Sequence, residues 1–309
     1  MIHITESQVR EFLPMGRALE LVETGFLHLA EGKAKNHPRR RLQLGSSATL
    51  HYMSAVDTAS GYLGTKLYTT HPRTGAHFTV LLYAADGLPL ASIEANALGQ
   101  IRTGAASGVA TRLLARPDAA VLGLIGSGFQ AETQLEAIAL VRSLKEVRVY
   151  SRSAENRRRF AEKMSRYLPL AVQPVETAEK AIRGCDIVVT ATNARDPVLL
   201  GEWLEPGMHI NAIGSNHFLR RELDAAAVLR ATLVVVDSIE QAKMESGDLI
   251  AAYDPAGAEW ERVVELADLL SGKCAPAPES GISLFKSNGL ALEDISVAGY
   301  VYEQALAKM

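Results

Sequence analysis

Two cysteines are all that 309 residues contain, so no disulfide framework holds this chain and a reducing compartment is expected. Neither Cys185 nor Cys274 sits in a metal-spaced cluster, and the eight histidines show no ligand spacing, so no metal is expected. Basic excess is missing too. A formal net charge of −3 draws the chain neither to nucleic acid nor to an anionic membrane. No run of about 18 uncharged apolar residues occurs, and the opening MIHITESQVREFLP lacks the apolar core of a signal peptide. A cytoplasmic protein is expected. There are no internal repeats and no low-complexity tract. The remainder is ordinary for a globular chain: 48% hydrophobic and 22% charged residues, with length for one large or two moderate domains.

What the chain does have is a glycine turn in an informative setting. From Ala119 to Ser153 it reads AAVLGLIGSGFQAETQLEAIALVRSLKEVRVYSRS. Val121 to Ile125 is a short apolar run bounded by turn residues, the pattern of a buried parallel strand. Gly126-Ser127-Gly128-Phe129-Gln130-Ala131 follows as G-x-G-x-x-A. Ala131, Leu135, Ile138 and Ala139 then recur at helical spacing, and Val147 to Tyr150 makes a second strand. A βαβ unit of ~30 residues with glycines at its first turn is the dinucleotide-binding pattern. Gly126 allows a sharp turn, Gly128 lets backbone approach a pyrophosphate, and Ala131 lets the helix sit close on the strand. The helix N-terminus adds N–H groups and a partial positive charge. The competing reading is a tight turn in a doubly wound domain that binds nothing.

The end of the second strand bears on which cofactor fits. NAD-preferring domains usually carry Asp or Glu there for the ribose hydroxyls. This chain has Ser151-Arg152-Ser153, with Arg157, Arg158 and Arg159 following. Arg152 is therefore expected to pair with a 2′-phosphate. At roughly 1.5–3 kcal/mol, one such contact favours NADPH over NADH about 10- to 150-fold. At least two of the later arginines fit a solvated helix face, and Arg157 is kept as a cofactor contact. The expected cofactor residues are Gly126, Ser127, Gly128, Phe129, Gln130, Ser151, Arg152, Ser153 and Arg157, with Thr190, Ala191 and Thr192 at a later strand's carboxyl end.

Around this unit the chain changes texture once. Thr5 to Leu29 has helical period, with Pro14 interrupting it or starting a second helix. Arg41 to Leu44, Ala48 to Met53, Thr65 to Thr70, Phe78 to Tyr83 and Pro89 to Glu94 read as strands of a mostly antiparallel sheet, with Asp86-Gly87 as a hairpin turn. Ile101 to Leu114 reads as a helix and Arg116-Pro117-Asp118 as a linker. Strands at Val121 to Ile125, Val147 to Tyr150, Ile187 to Ala191, His209 to Ile213 and Leu233 to Val236 alternate with helices, which implies a parallel, doubly wound sheet. Ile282 to Met309 reads as a loop and then a long helix. The expected fold is α/β: a Rossmann-type doubly wound domain over 117–285, plus a smaller α+β substrate and dimerisation domain over 1–116 completed by a C-terminal helix, 286–309.

A nicotinamide cofactor implies hydride transfer without naming the acceptor. Arg102, among small residues at a helix start, is either a bidentate clamp for a carboxylate or an exposed helix-start arginine. Lys66 lies in a strand, where lysines usually face solvent. One of Arg39, Arg40 and Arg41, after Pro38, is a further candidate for a carboxylate.

Together with these residues, several stretches make the chain resemble the ornithine cyclodeaminase and μ-crystallin family over nearly its whole length. They are Thr65-Lys66-Leu67, Ile101 to Ser107, the Gly126 turn, Val149 to Arg152, Ile210 to Gly214, Val236-Asp237-Ser238, Glu245 to Asp248 and Phe285-Lys286-Ser287. The resemblance implies a homodimer built by the N-terminal domain, a C-terminal helix returning to that domain, and a substrate pocket between domains. It implies that Arg102 binds the α-carboxylate of an imino or amino acid, that Lys66 assists as a carboxylate contact or proton donor, and that Arg40 is the arginine of the triplet that faces substrate. Cyclodeaminating members carry an Asp where this chain has Asn216, placed with the substrate residues here. An amide cannot exchange protons near neutral pH, so cyclisation of ornithine is disfavoured.

The reading that results is NADPH-dependent reduction of a small cyclic α-imino acid, such as Δ1-pyrroline-2-carboxylate or Δ1-piperideine-2-carboxylate, to an L-amino acid, with NADH less favoured. The alternatives are an alanine-type amino-acid dehydrogenase, a cyclodeaminase despite Asn216, or a crystallin-like NADPH binder without turnover.

Overall fold

The computed structural model describes residues 1–253, 257–276, 278 and 280–309. It comprises two compact units, Met1–Ala106 with Gly289–Met309, and Ser107–Asn288.

The first unit is a six-stranded sheet with helices. It runs β1 (Ile2–Ile4), α1 (Glu6–Phe12), α2 (Met15–Ala30), β2 (Ala34–Leu44), β3 (Ala48–Asp57), β4 (Tyr62–His71), β5 (Gly75–Ala84) and β6 (Pro89–Glu94). Pro14 stands just before α2, where its fixed φ and missing N–H cost nothing. The sheet order is β1-β6-β5-β4-β3-β2; β1 joins β6 in parallel and every other pair is antiparallel. Asp86-Gly87 does turn the chain between β5 and β6, with Gly87 at φ +84°. Three residues of β1 were too short a run to read as a strand from the sequence.

α3 (Asn96–Leu114) continues the chain into the second unit. That unit holds β7 (Val121–Ile125), α4 (Phe129–Val141), β8 (Glu146–Tyr150), α5 (Ala154–Tyr167), β9 (Val172–Pro174), α6 (Ala178–Ile182), β10 (Ile187–Thr190), β11 (His209–Ala212), α7 (Ala225–Leu229) and β12 (Leu233–Val236). It closes with α8 (Ile239–Glu245), α9 (Gly247–Ala252), β13 (Val263–Glu265), α10 (Leu266–Leu270) and β14 (Ser283–Lys286). All eight strands are parallel, in the order β13-β12-β14-β11-β10-β7-β8-β9. Strand residues alternate between two cores. Ile187 and Val189 pack with Leu135, Ile138 and Phe160 of α4 and α5, while Val188 packs with Ile182 and Val228 of α6 and α7. The doubly wound expectation is met, and the strand order reverses between β7 and β10, where such sheets bind ligands.

One expectation fails here. Ile282 onward was expected as loop until the final helix, yet Ser283–Lys286 is a central strand between β11 and β12. Four residues ending in lysine do not look like a buried strand, but Lys286 is fully buried because its ammonium meets Asp248 and the Ser215 carbonyl.

The final helix, α11 (Ala291–Ala307), belongs to the first unit. It lies directly on β4: a Cβ on Gly64 would stand 2.5 Å from both Ile295 Cδ1 and the Leu81 carbonyl oxygen. Among the described residues no helix is long and apolar enough to cross a membrane. Gly64→Ala forces α11 off the sheet or bends β4, and overpacking of this kind costs about 1–3 kcal/mol. A lowered thermal midpoint for the variant is the expected result; an unchanged midpoint would contradict this seating of α11.

Candidate active site

In the first unit, strand alternation turns Gly64, Lys66 and Tyr68 onto the buried face of β4, where Lys66 lies between Met53 and Val80. A Cβ on Gly99 of α3 would come within 3.0 Å of Lys66 Nζ, so the glycine leaves room for the ammonium. α3 is rich in small residues and is buried on every side along its first fourteen residues past Asn96, which carries Arg102 inside with it. The surface readings of both residues are therefore wrong: Lys66 is 4% exposed and Arg102 is 6% exposed.

Both cations meet the first turn of α11. Asp294 Oδ1 accepts from Lys66 Nζ at 2.7 Å and from Arg102 Nε at 3.1 Å, and Glu293 Oε2 accepts from Arg102 Nη1 at 2.7 Å. Glu293 Oε1 also accepts from the Leu290 N–H, and Asn36 of β2 accepts from the Leu292 N–H, so the turn is held at both ends. Burial pushes the Lys66 ammonium down to about 8; Asp294 resists this, and Arg102 and Arg39 add to it. Burial also acts against the charge of Arg102, but Asp294 and Glu293 outweigh it and hold its proton more firmly than usual.

Of the arginine triplet, Arg39 joins this cluster, donating from Nη2 to the Gly289 carbonyl at 3.3 Å, whereas Arg40 is exposed. Arg40, the residue expected to face substrate, stands outside this buried cluster. The reason is an irregularity: pairing of β2 with β3 shifts between His37 and Arg40, so that Pro38 and Arg39 both turn inward. Counting from the proline in steps of two therefore does not find the residue that is buried. Gly289 itself sits at φ +80°, and a Cβ there would fall 2.7 Å from Arg102 Nη1. Three buried cations, Arg39, Lys66 and Arg102, thus gather about the first turn of α11 with two buried carboxylates, Glu293 and Asp294. Such a cluster can draw in a small anion, and a guanidinium fork suits a carboxylate.

In the second unit the glycine turn lies at the switch point. Gly126 has φ +119°, and a Cβ there would stand 2.3 Å from the Ala191 carbonyl oxygen, so only glycine fits between β7 and β10. Gly128 precedes α4 in open space, and no side chain caps that helix. Ser127 donates to Ser151, tying the turn to the strand end, and Ser153 caps α5. Arg157 donates to the Ser151 carbonyl and lies over the Tyr150 ring, while Arg152, Phe129 and Ser153 are exposed and Gln130 is half-buried. Positions 151–153 carry no carboxylate, and Glu176, beyond β9, lies within the field of Arg157. An open glycine approach, an uncapped helix N-terminus and a cationic strand end fit a dinucleotide phosphate.

Thr190 does not line this crevice with its side chain, contrary to expectation. It is fully buried and donates to Glu222 Oε2. Glu222 Oε1 accepts from the Thr192 N–H and hydroxyl, and Oε2 from the Gly214 N–H. One carboxylate therefore ties together the segments after β10 and β11, which carry Thr192 and the exposed Asn216. Asp248 in turn accepts from the Glu222 and Leu223 N–H groups and pairs with Lys286. Burial pushes the Glu222 carboxyl up, with Lys286 opposing. Sequence reasoning missed Glu222, Asp248, Glu293 and Asp294. For the last two a signal existed, since Glu293-Asp294 interrupts an otherwise apolar helix start.

The charge of Lys66 should be visible in binding. Below pH about 8 it is protonated and adds to the pull on a small carboxylate; above that it loses its charge, so affinity falls as pH rises. Calorimetric titration of a carboxylate ligand across that range checks this, and an affinity that does not change through it would contradict the geometry.

The chain matches the Ornithine cyclodeaminase/mu-crystallin family over residues 2–309. It is 35% identical to an alanine dehydrogenase of Archaeoglobus fulgidus, covering 99% of this chain and 95% of that one. It is 34% identical to a Delta(1)-pyrroline-2-carboxylate reductase of Bacillus cereus, covering 99% and 97%. Among solved structures, the Delta(1)-pyrroline-2-carboxylate reductase of Thermococcus litoralis, in complex with NADH and L-proline, superposes with a TM-score of 0.94 at 36% identity, covering 100% and 98%. With glycine turn, buried cation cluster and full-length similarity in agreement, the chain belongs to the ornithine cyclodeaminase/mu-crystallin family.

Proposed function

We propose that this protein is an oxidoreductase that reduces a small cyclic α-imino acid, such as Δ1-pyrroline-2-carboxylate or Δ1-piperideine-2-carboxylate, to the L-amino acid, using NADPH in preference to NADH. The single observation that carries the reading is the burial of Arg39, Lys66 and Arg102 in one cluster, a cationic site that suits a carboxylate. The reductases among its relatives support the reaction class.

In this account Arg102, its Nε and one Nη1 hydrogen committed to Asp294 and Glu293, presents its remaining N–H groups to the substrate carboxylate as a rigid fork. Arg39 adds a second guanidinium, and Lys66 lies nearest the imine nitrogen and supplies its proton. Gly126, Ser127, Gly128, Phe129 and Gln130 hold the pyrophosphate. Ser151, Arg152, Ser153 and Arg157 receive the 2′-phosphate, and Ala191 and Thr192 border the nicotinamide end. When bound, the cofactor supplies the hydride. The protein's part is to fix the carboxylate so that the imine carbon has a single orientation, and such positioning is worth roughly 7–11 kcal/mol at its most effective.

A second reading, reductive amination of an α-keto acid, is favoured by the alanine dehydrogenase relative. It requires the same carboxylate clamp and differs in needing ammonia. Cyclodeamination is disfavoured by Asn216, whose amide is neither an acid nor a base near neutral pH.

The test is NADPH oxidation with Δ1-pyrroline-2-carboxylate. Turnover without ammonia, inert L-ornithine, and a preference for NADPH that Arg152→Ala lowers by about 10- to 150-fold are the expected results. Turnover of pyruvate only with ammonia would select the second reading, and an unchanged cofactor preference in the variant would remove Arg152 from its role.

A further inference from the structure

Asp294 is placed differently from its neighbour Glu293. A single oxygen, Oδ1, takes both Lys66 Nζ and Arg102 Nε, while Oδ2 is buried without a hydrogen-bond partner. Lys66 is bonded to Asp294 and not to Glu293, whose Oε2 serves Arg102. The groups facing Lys66 come from four elements. α11 supplies Asp294; α3 supplies Arg102; β2 supplies Arg39; β5 supplies the Phe78 ring, whose centroid is 5.5 Å from Nζ. One row further along the same face of the sheet, His51 stacks on Tyr68 at 4.2 Å. Of the charged groups around the ammonium, two arginines expel its proton and one carboxylate retains it.

We propose that Asp294 is a positioning residue for the reduction: it fixes Lys66 beside the substrate and keeps that ammonium charged, acting through Lys66 rather than on the substrate. The proposal rests on the reductase reading above. In the step it serves, hydride forms the new C–H bond at the imine carbon. The π pair of the C=N bond takes a proton from Lys66 Nζ to form N–H, and water returns a proton to Lys66. Without the Asp294 charge, Lys66 has only like charges and low dielectric around it, and it gives up its proton before the substrate arrives. Burial already brings it to about 8, so little reserve remains.

Asp294→Asn keeps an acceptor oxygen and removes the charge. The alkaline limb of kcat/KM for Δ1-pyrroline-2-carboxylate is expected to move down by about one pH unit or more, with activity recovering on the acid side. Glu293→Gln is expected to raise KM and leave the limb in place. A limb unmoved in Asp294→Asn, or moved equally by both variants, would overturn the proposal. The same pH series on binding of pyrrole-2-carboxylate, a planar acid with no reducible imine, separates the two readings. If the wild type binds it with the limb but reduces no imino acid, the reductase reading falls and the Asp294 shift is decided from binding alone. Should Asp294→Asn not fold, the Lys66→Met/Asp294→Asn double variant decides. Recovery of the melting transition on removing the lysine supports the pairing, and no recovery refutes it.

Discussion

One buried carboxylate oxygen holding two cations is the constraint on which the first unit depends. Asp294 reaches Lys66 and Arg102 only because α11 is seated hard on β4, and α11 is seated there because Gly64 and Gly299 have no side chains. Arg102 in turn is inside only because the surrounding turns of α3 are small enough to bury on every side. Each cation in isolation would be expelled to water, at a cost no fold of this size can carry. The Glu293 and Asp294 carboxylates make the burial of Lys66 and Arg102 tolerable.

The second unit uses buried charge in the opposite sense. Glu222 ties chain to chain: its oxygens collect the hydroxyls of Thr190 and Thr192 and two backbone N–H groups. That fixes the loops leaving β10 and β11 at the carboxyl edge of the sheet. Asp248 and Lys286 fix Glu222 from behind. A parallel sheet delivers its loops to one edge but does not hold them still, and here a chain of three buried charges does so. Removing one member of such a chain is more damaging than removing it whole, because an unpaired charge is left inside.

The local pattern of the sequence made the doubly wound sheet, the glycine turn and the antiparallel sheet legible, because each announces itself within about thirty residues. What it hid was long-range. β14 is four residues long and ends in lysine; only Asp248 and Ser215, distant in sequence, make that lysine a buried one. Arg39 was masked by a bulge that breaks strict alternation in β2. Lys66 and Arg102 have ordinary surface explanations on spacing alone, and resemblance to a family raised them. The structure adds the carboxylates that explain why they can be buried. Thr190 shows the converse, a hydroxyl at the expected place in the chain whose partner, Glu222, lies 32 residues on.

The central claim, that the buried Arg39, Lys66 and Arg102 cluster recognises a carboxylate, is tested most directly by comparing two imines of the same ring. Δ1-pyrroline-2-carboxylate and unsubstituted Δ1-pyrroline differ in the carboxylate alone. Charged hydrogen bonds at roughly 1.5–3 kcal/mol each place kcat/KM for the unsubstituted ring at least about 100-fold lower. Equal values for the two would contradict the account, since the cluster would then contribute nothing to recognition.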